Sequence, residues 1–185
     1  WEDFLSLVLP ETCCLCKRSL FPFEEQLCKI CISQLPVTNY HLVPKENDLK
    51  VKLLGLAPVE RVMAYLRFSK KGFSQKLLHQ IKQEIRGYNQ SEQFAKGIAE
   101  ALEIDCKVFL IRKRPTETQT NKSRIERWDN VSAVFEAWAT AEIKGKKMLL
   151  VDDVMTTGAT LASCAVSLNE YQPKTIDLAV LAAGN

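Results

Sequence analysis

The chain has 185 residues, of which 46% are hydrophobic and 25% charged, with 25 Lys and Arg against 22 Asp and Glu. That length holds one ordinary domain plus a small module, and that composition excludes a disordered chain. A net charge of +3 is too small to identify a nucleic-acid partner by itself, and no apolar run approaches the roughly 20 residues of a membrane span.

In chain order, Trp1, Phe4, Leu5, Val8 and Leu9 keep the spacing of one helix face, and Pro10 ends it. Trp1-Glu2-Asp3 is acidic where a secretory leader would be cationic, so a cytoplasmic location is expected. The first residue is not Met, and the sequence is read as a processed or partial chain. Residues 11–36 are short and rich in Cys, and residues 37–55 read as a polar connection. From residue 56 strand and helix patterns alternate. Val59–Phe68 reads as a strand and Phe73–Ile85 as a helix with Leu77, Leu78, Ile81 and Ile85 on one face. Ser91–Leu102 reads as a helix with Ser91 as its cap, and Lys107–Ile111 as a strand. Pro115–Asn130 reads as a loop running into a short helix, Lys147–Val151 as a buried strand, Ala159–Leu168 as a helix and Thr175–Ala182 as a strand. Such alternation predicts an α/β domain over 56–185, a parallel sheet flanked by helices, behind a small module over 1–36.

Five of the seven cysteines fall within residues 1–31. Cys13 and Cys16 form one Cys-x-x-Cys pair, and Cys28 and Cys31 form a second. Two intervening residues let both thiolates of a pair bend onto one ion, and two pairs supply the tetrahedral sulfur set that Zn2+ prefers. So small a segment has little core and needs the metal to fold. Four thiolates fill the coordination shell, so the zinc is expected to be structural. Cys14 competes in register but makes a poorer clasp with Cys16.

The most specific pattern is Val151-Asp152-Asp153-Val154-Met155-Thr156-Thr157-Gly158-Ala159-Thr160. An apolar strand runs into two acids, then into a small hydroxyl-rich loop and a helix. Ligands of open α/β sheets bind at that end of a strand. Thr156, Thr157, Gly158, Ala159 and Thr160 offer backbone N–H groups, hydroxyls and a helix N-terminus to a phosphate. Asp152 and Asp153 can accept hydrogen bonds from vicinal sugar hydroxyls. Together the parts suit a 5-phosphoribosyl group.

Val151–Thr160 resembles the phosphoribosyl pyrophosphate (PRPP) loop of type I phosphoribosyltransferases. With the tandem Cys-x-x-Cys in front, the chain is similar to the ComF family of late competence proteins. Arg86-Gly87-Tyr88-Asn89-Gln90-Ser91 matches that family's Arg-Gly-Phe-Asn-Gln signature. Arg112, Thr116, Gln119, Arg124, Arg127, Asn130 and Phe135 fall in order as in its charged flexible loop. The resemblance implies a type I phosphoribosyltransferase-like sheet behind a four-cysteine zinc ribbon. It implies that Asp152 and Asp153 hold the ribose and act in catalysis if transfer occurs, and that Thr156 to Thr160 hold the 5-phosphate. Arg86 would lie near the pyrophosphate, Mg2+ would accompany PRPP, and Arg112, Arg124 and Arg127 would cover the site. One departure is plain. The family's apolar strand and Pro-Val-Pro-Leu-His-like run before Arg86 are missing here. Its loss would expose an apolar face, so an omitted segment near residues 82–86 is expected.

The resemblance further implies a role in the uptake and processing of single-stranded DNA during natural transformation, with a competence helicase and DNA-processing proteins as partners. The alternative is an active phosphoribosyltransferase acting on an unidentified acceptor. Arg61, Arg67, Lys70, Lys71, Lys76, Lys82 and Arg86 with Tyr65, Phe68 and Phe73 offer a candidate surface for single strands. So do the basic residues of 112–127 with Tyr88 and Trp128. The plainer alternative is a solvated basic face with core rings. His41 and His79 are expected on a connection and a helix surface, and neither is a convincing general base.

Overall fold

The computed structural model describes residues 11–69, 72–84, 89–112, 135–138 and 140–184. The expected N-terminal helix, the Pro115–Asn130 loop, Lys70, Lys71, Arg86, Tyr88, Arg124, Arg127 and Trp128 lie outside them. For Lys82 and Arg112 only the backbone is described.

The first module is a hairpin closed by an antiparallel bridge between Thr12 and Ser19. Its first knuckle turns through Cys13 N–H to Arg18 C=O at 2.8 Å and Lys17 N–H to Cys13 C=O at 2.9 Å. The second knuckle is the start of helix α1 (Lys29–Ser33), with Cys28 as N-cap. Glu24, 7% exposed, braces the two. Its carboxylate accepts from Arg18 Nη2 at 3.0 Å, Phe21 N–H at 2.9 Å and Lys29 N–H at 2.6 Å. Those bonds, Lys29 N–H foremost, hold its carboxyl below the usual range.

Residues 36–38 then run along the outer edge of β1 (Val62–Phe68). Val37 bridges Leu66, Thr38 N–H reaches Tyr65 C=O at 3.0 Å, and Arg67 N–H reaches Pro36 C=O at 2.8 Å. That contact covers one edge of the sheet. The stretch expected as a plain connection carries helix α2 (Asp48–Leu53), capped by Asn47, whose Oδ1 accepts Lys50 N–H at 3.0 Å. Its Leu49 and Leu53 are 1% and 0% exposed. Two apolar residues four apart give too short a signal to betray a helix in polar sequence, yet both enter the main core.

Beyond β1 come α3 (Phe73–Glu84), α4 (Gln90–Leu102), β2 (Leu110–Arg112), β3 (Phe135–Ala137), a 3-10 turn at Thr140–Glu142, β4 (Lys147–Met155), α5 (Ala159–Asn169) and β5 (Thr175–Gly184). The main sheet is parallel in the order β1-β5-β4, and β2 with β3 forms a separate antiparallel pair. Central β5 is buried at eight of its ten positions, the continuous apolar run of a strand covered on both faces. Leu161, Ala162, Ala165 and Leu168 of α5 pack with Ile176, Leu178, Met148 and Leu150 as the main core. Leu77 and Leu78 of α3 pack in a second cluster with Leu66 and Ala182.

Candidate functional site

β4 extends four residues beyond the apolar run Lys147–Val151. Its ladder with β5 continues through Asp152↔Val180 and Met155↔Ala183, so both acids stand inside the strand. They are half-buried, and Met155 behind them is 1% exposed. The chain then turns through Thr156 and Thr157, both exposed, to Gly158, the N-cap of α5, at φ +79°. A Cβ at Gly158 would lie 2.8 Å from Leu53 Cδ2 and 2.8 Å from Met155 Cε. Glycine is therefore required twice, for the left-handed backbone and for the approach of α2. Asp152, Thr156, Thr157, Gly158, Ala159 and Thr160 line one shallow depression of about 30 Å³. The geometry thus brings these loop residues together at the carboxyl end of a parallel strand.

Ser91 is placed differently from expectation. The N-cap of α4 is Asn89, and Ser91 lies inside the first turn. Its Oγ donates to Asp152 Oδ1 at 2.8 Å, and Asp153 N–H donates to the same oxygen at 2.9 Å. A hydroxyl at the start of an apolar period reads as a cap, and only the tertiary approach of α4 to β4 shows its other use. Burial, with the neighbouring Asp153 charge, pushes the Asp152 carboxyl above the usual aspartate value despite these two donors. Burial together with Asp152 also pushes the Cys164 thiol up to about 12, so it stays protonated behind the site.

At the other end of the chain, the Sγ atoms of Cys13, Cys16, Cys28 and Cys31 all lie within 4.8 Å of one another. Cys16 and Cys28 are 3.6 Å apart, close to the ~3.8 Å edge of a tetrahedron with Zn–S bonds of about 2.3 Å. Cys28 N–H points at Cys13 Sγ and Cys31 N–H at Cys28 Sγ, each at 3.4 Å. Although burial opposes it, donors from Cys16, Cys28 and Leu15 hold the Cys13 thiol down at about 6, while burial raises Cys31. The four residues fit a metal ion such as zinc, and Cys14 stands outside the set.

The proposed basic surface is partly spoken for. Arg61 is paired with Asp177, Nη2 to Oδ2 at 2.9 Å, and Arg67 donates to Tyr40 Oη at 2.6 Å. Phe68 packs in the second cluster and Phe73 against the cysteines, as core rings do. Tyr65 is 49% exposed. Both histidines are exposed.

Residues 89–185 match the model of the phosphoribosyl transferase domain. The chain belongs to that family. Two curated relatives align over 86 residues each. One is the ribose-phosphate pyrophosphokinase of Methanobrevibacter smithii, 30% identical over 46% of this chain and 27% of the relative. The other is Competence protein F of Haemophilus influenzae, 34% identical over 45% of this chain and 38% of the relative. The chain thus spans well under half the length of either. No solved structure gives a significant match. Among the described residues, no helix is long and apolar enough to cross a membrane.

Proposed function

We propose that this chain is a ComF-like cytoplasmic competence protein whose β4–α5 loop binds PRPP with Mg2+. In this reading it serves single-stranded DNA uptake alongside a helicase and DNA-processing proteins. The observation that carries the PRPP pocket is the placement of Asp152 and the Thr156–Thr160 loop around one depression at the carboxyl end of β4, with Asp153 next to Asp152 in the strand but outside the depression's lining. Carboxylates there accept from ribose hydroxyls, and the N–H groups and hydroxyls of the loop face the 5-phosphate. Arg86, Arg112, Arg124 and Arg127 are proposed as pyrophosphate and cover residues, and Zn2+ on the four cysteines as a structural ion. Native mass spectrometry with Mg2+ and PRPP tests the pocket. The reading expects an adduct on the wild type and none on the double substitution Asp152→Asn with Asp153→Asn. No adduct on either protein overturns it.

Support for single-stranded DNA comes from the first module. The Phe21 and Phe23 rings stack with centroids 5.5 Å apart and are 53% and 65% exposed. The Arg18 guanidinium lies 5.2 Å from the Phe21 centroid, and the Lys29 ammonium 4.4 Å from that of Phe23. Exposed rings flanked by cations stack unpaired bases, each worth ~1–3 kcal/mol. Replacing both phenylalanines by alanine is expected to weaken oligonucleotide binding about tenfold or more, and unchanged affinity rejects this surface. Phosphoribosyl transfer to an acceptor is the second reading, favoured by the family match. It expects pyrophosphate release from PRPP that Asp153→Asn abolishes.

A further inference from the structure

The four sulfurs of the first module are not equivalent. Cys13, Cys28 and Cys31 are 0%, 0% and 2% exposed, whereas Cys16 is exposed. The three buried cysteines share one cluster with Leu15, Leu20, Leu27 and, from α3, Phe73, and Cys16 stands outside it. Backbone donors repeat the asymmetry. Cys28 N–H points at Cys13 Sγ and Cys31 N–H at Cys28 Sγ, each at 3.4 Å. Among the described residues no backbone N–H reaches Cys16 Sγ, and its printed neighbour is Cys28 Sγ, 3.6 Å away on the second knuckle.

A cysteine that ligates a metal does so as a thiolate, and the thiolate is the form that peroxides and soft electrophiles attack. Where four thiolates share one ion, charge state does not choose among them, and access does. Burial shields three of the four. An N–H donor also draws electron density from the sulfur that accepts it, which blunts Cys13 and Cys28 further. Cys16 has neither shield.

We propose that Cys16 is a modification site, the atom through which hydrogen peroxide enters the module, with Cys28 as the resolving thiol. The inference rests on the zinc reading of the four cysteines and is independent of PRPP and DNA. The Cys16 thiolate attacks one peroxide oxygen, the O–O bond breaks, and the departing hydroxide takes a proton from solvent and leaves as water. Cys16 is then a sulfenic acid, oxidised by the two electrons that reduce the peroxide. The Cys28 thiolate attacks the sulfenic sulfur, the S–S bond forms, and the second hydroxide takes a proton and leaves as water. Two thiolates, one peroxide and two protons give one disulfide and two waters. The two sulfurs stand 3.6 Å apart and need to close to about 2.05 Å. Cys13 and Cys31 remain, two ligands where a structural site uses four, so the ion is released. The new bridge closes the loop that carries Phe21 and Phe23.

The test uses the full zinc-loaded chain with Cys14→Ser and Cys106→Ser, which removes the accessible thiols outside the set. Metal analysis comes first. A chain that holds no zinc overturns the zinc reading, and this inference with it. Hydrogen peroxide is then added, zinc release is followed with a chromogenic chelator, and peptide mapping locates the disulfide. The expected result is one zinc released per disulfide formed, with the disulfide between Cys16 and Cys28. Cys16→His keeps a zinc ligand that peroxide does not convert to a disulfide, and it should slow release about tenfold or more. A second measurement needs no ligand exchange: a limiting amount of N-ethylmaleimide on the zinc-loaded parent should label Cys16 first. With zinc present, release from Cys16→His at the parent rate, a disulfide that omits Cys16, or first labelling at Cys13, Cys28 or Cys31 overturns Cys16 as the point of entry while leaving the zinc reading in place.

Discussion

Gly158 is the position where a single added carbon tests how the site is built. Its φ of +79° costs an alanine about 1–2 kcal/mol. The new Cβ would also lie 2.8 Å from both Leu53 Cδ2 and Met155 Cε. These are side-chain ends, so part of the overlap relaxes. They are also 0% and 1% exposed and packed in the core, so some overlap remains, at the lower end of the 1–3 kcal/mol usual for overpacking. Gly158→Ala is expected to cost about 2–3 kcal/mol, a fall in melting temperature of roughly 4–12 °C for a chain of this size. A cycle with Leu53→Ala separates the two causes. Leu53→Ala alone costs about 2–5 kcal/mol through its cavity. In the double variant the new methyl has room, so the two costs should add to less than their sum by about 1 kcal/mol. Denaturant unfolding of the four proteins measures this. Gly158→Ala within 0.5 kcal/mol of the wild type, or strict additivity with Leu53→Ala, refutes the claim that α2 fixes the loop.

Three other outcomes are expected. Chelation of metal, or Cys13→Ser, should release one zinc and loosen residues 11–35 while leaving the β1-β5-β4 sheet protected; hydrogen exchange with metal analysis reads both. Because Asp152 is raised in the folded state, the fold binds that proton more readily than the unfolded chain, and stability falls as pH rises from the ordinary aspartate range through the raised value. Asp152→Asn should then unfold later than the wild type at pH 7, with the difference narrowing as pH is lowered towards about 4 in paired denaturant titrations. Asp177→Asn should cost about 1–3 kcal/mol, short of a fully buried pair because Arg61 keeps 38% of its side chain exposed; equal unfolding midpoints would exclude a structural role for the pair.

Where apolar periodicity was long, the sequence was sufficient. β1, α3, α4, β4, α5 and β5 each sit within a few residues of where their patterns put them, and the paired Cys-x-x-Cys spacing foretold the sulfur cluster. The misses have physical causes. The apolar pattern ends at Val151 because two carboxylates break it, whereas the ladder continues to Met155, since it bonds backbones and is indifferent to side chains. α2 escaped notice because its signal is Leu49 and Leu53 alone, yet the second of these shapes the Gly158 turn. Ser91 looked like a cap because nothing local distinguishes a hydroxyl facing its own helix from one facing a strand 61 residues away.

α4 ties the β4–α5 loop to the rest of the domain by one hydroxyl. Its first turn reaches Asp152 through Ser91 Oγ at 2.8 Å. In α4 only Ala99 is fully buried, whereas the inner face of α5 is buried from Leu161 to Leu168. Positioned carboxylates bind better than wandering ones, because ordering them no longer counts against the ligand. If the loop binds PRPP as proposed, Ser91→Ala should weaken the PRPP adduct while leaving the melting transition in place, and an undiminished adduct would show that Asp152 is held without that hydroxyl.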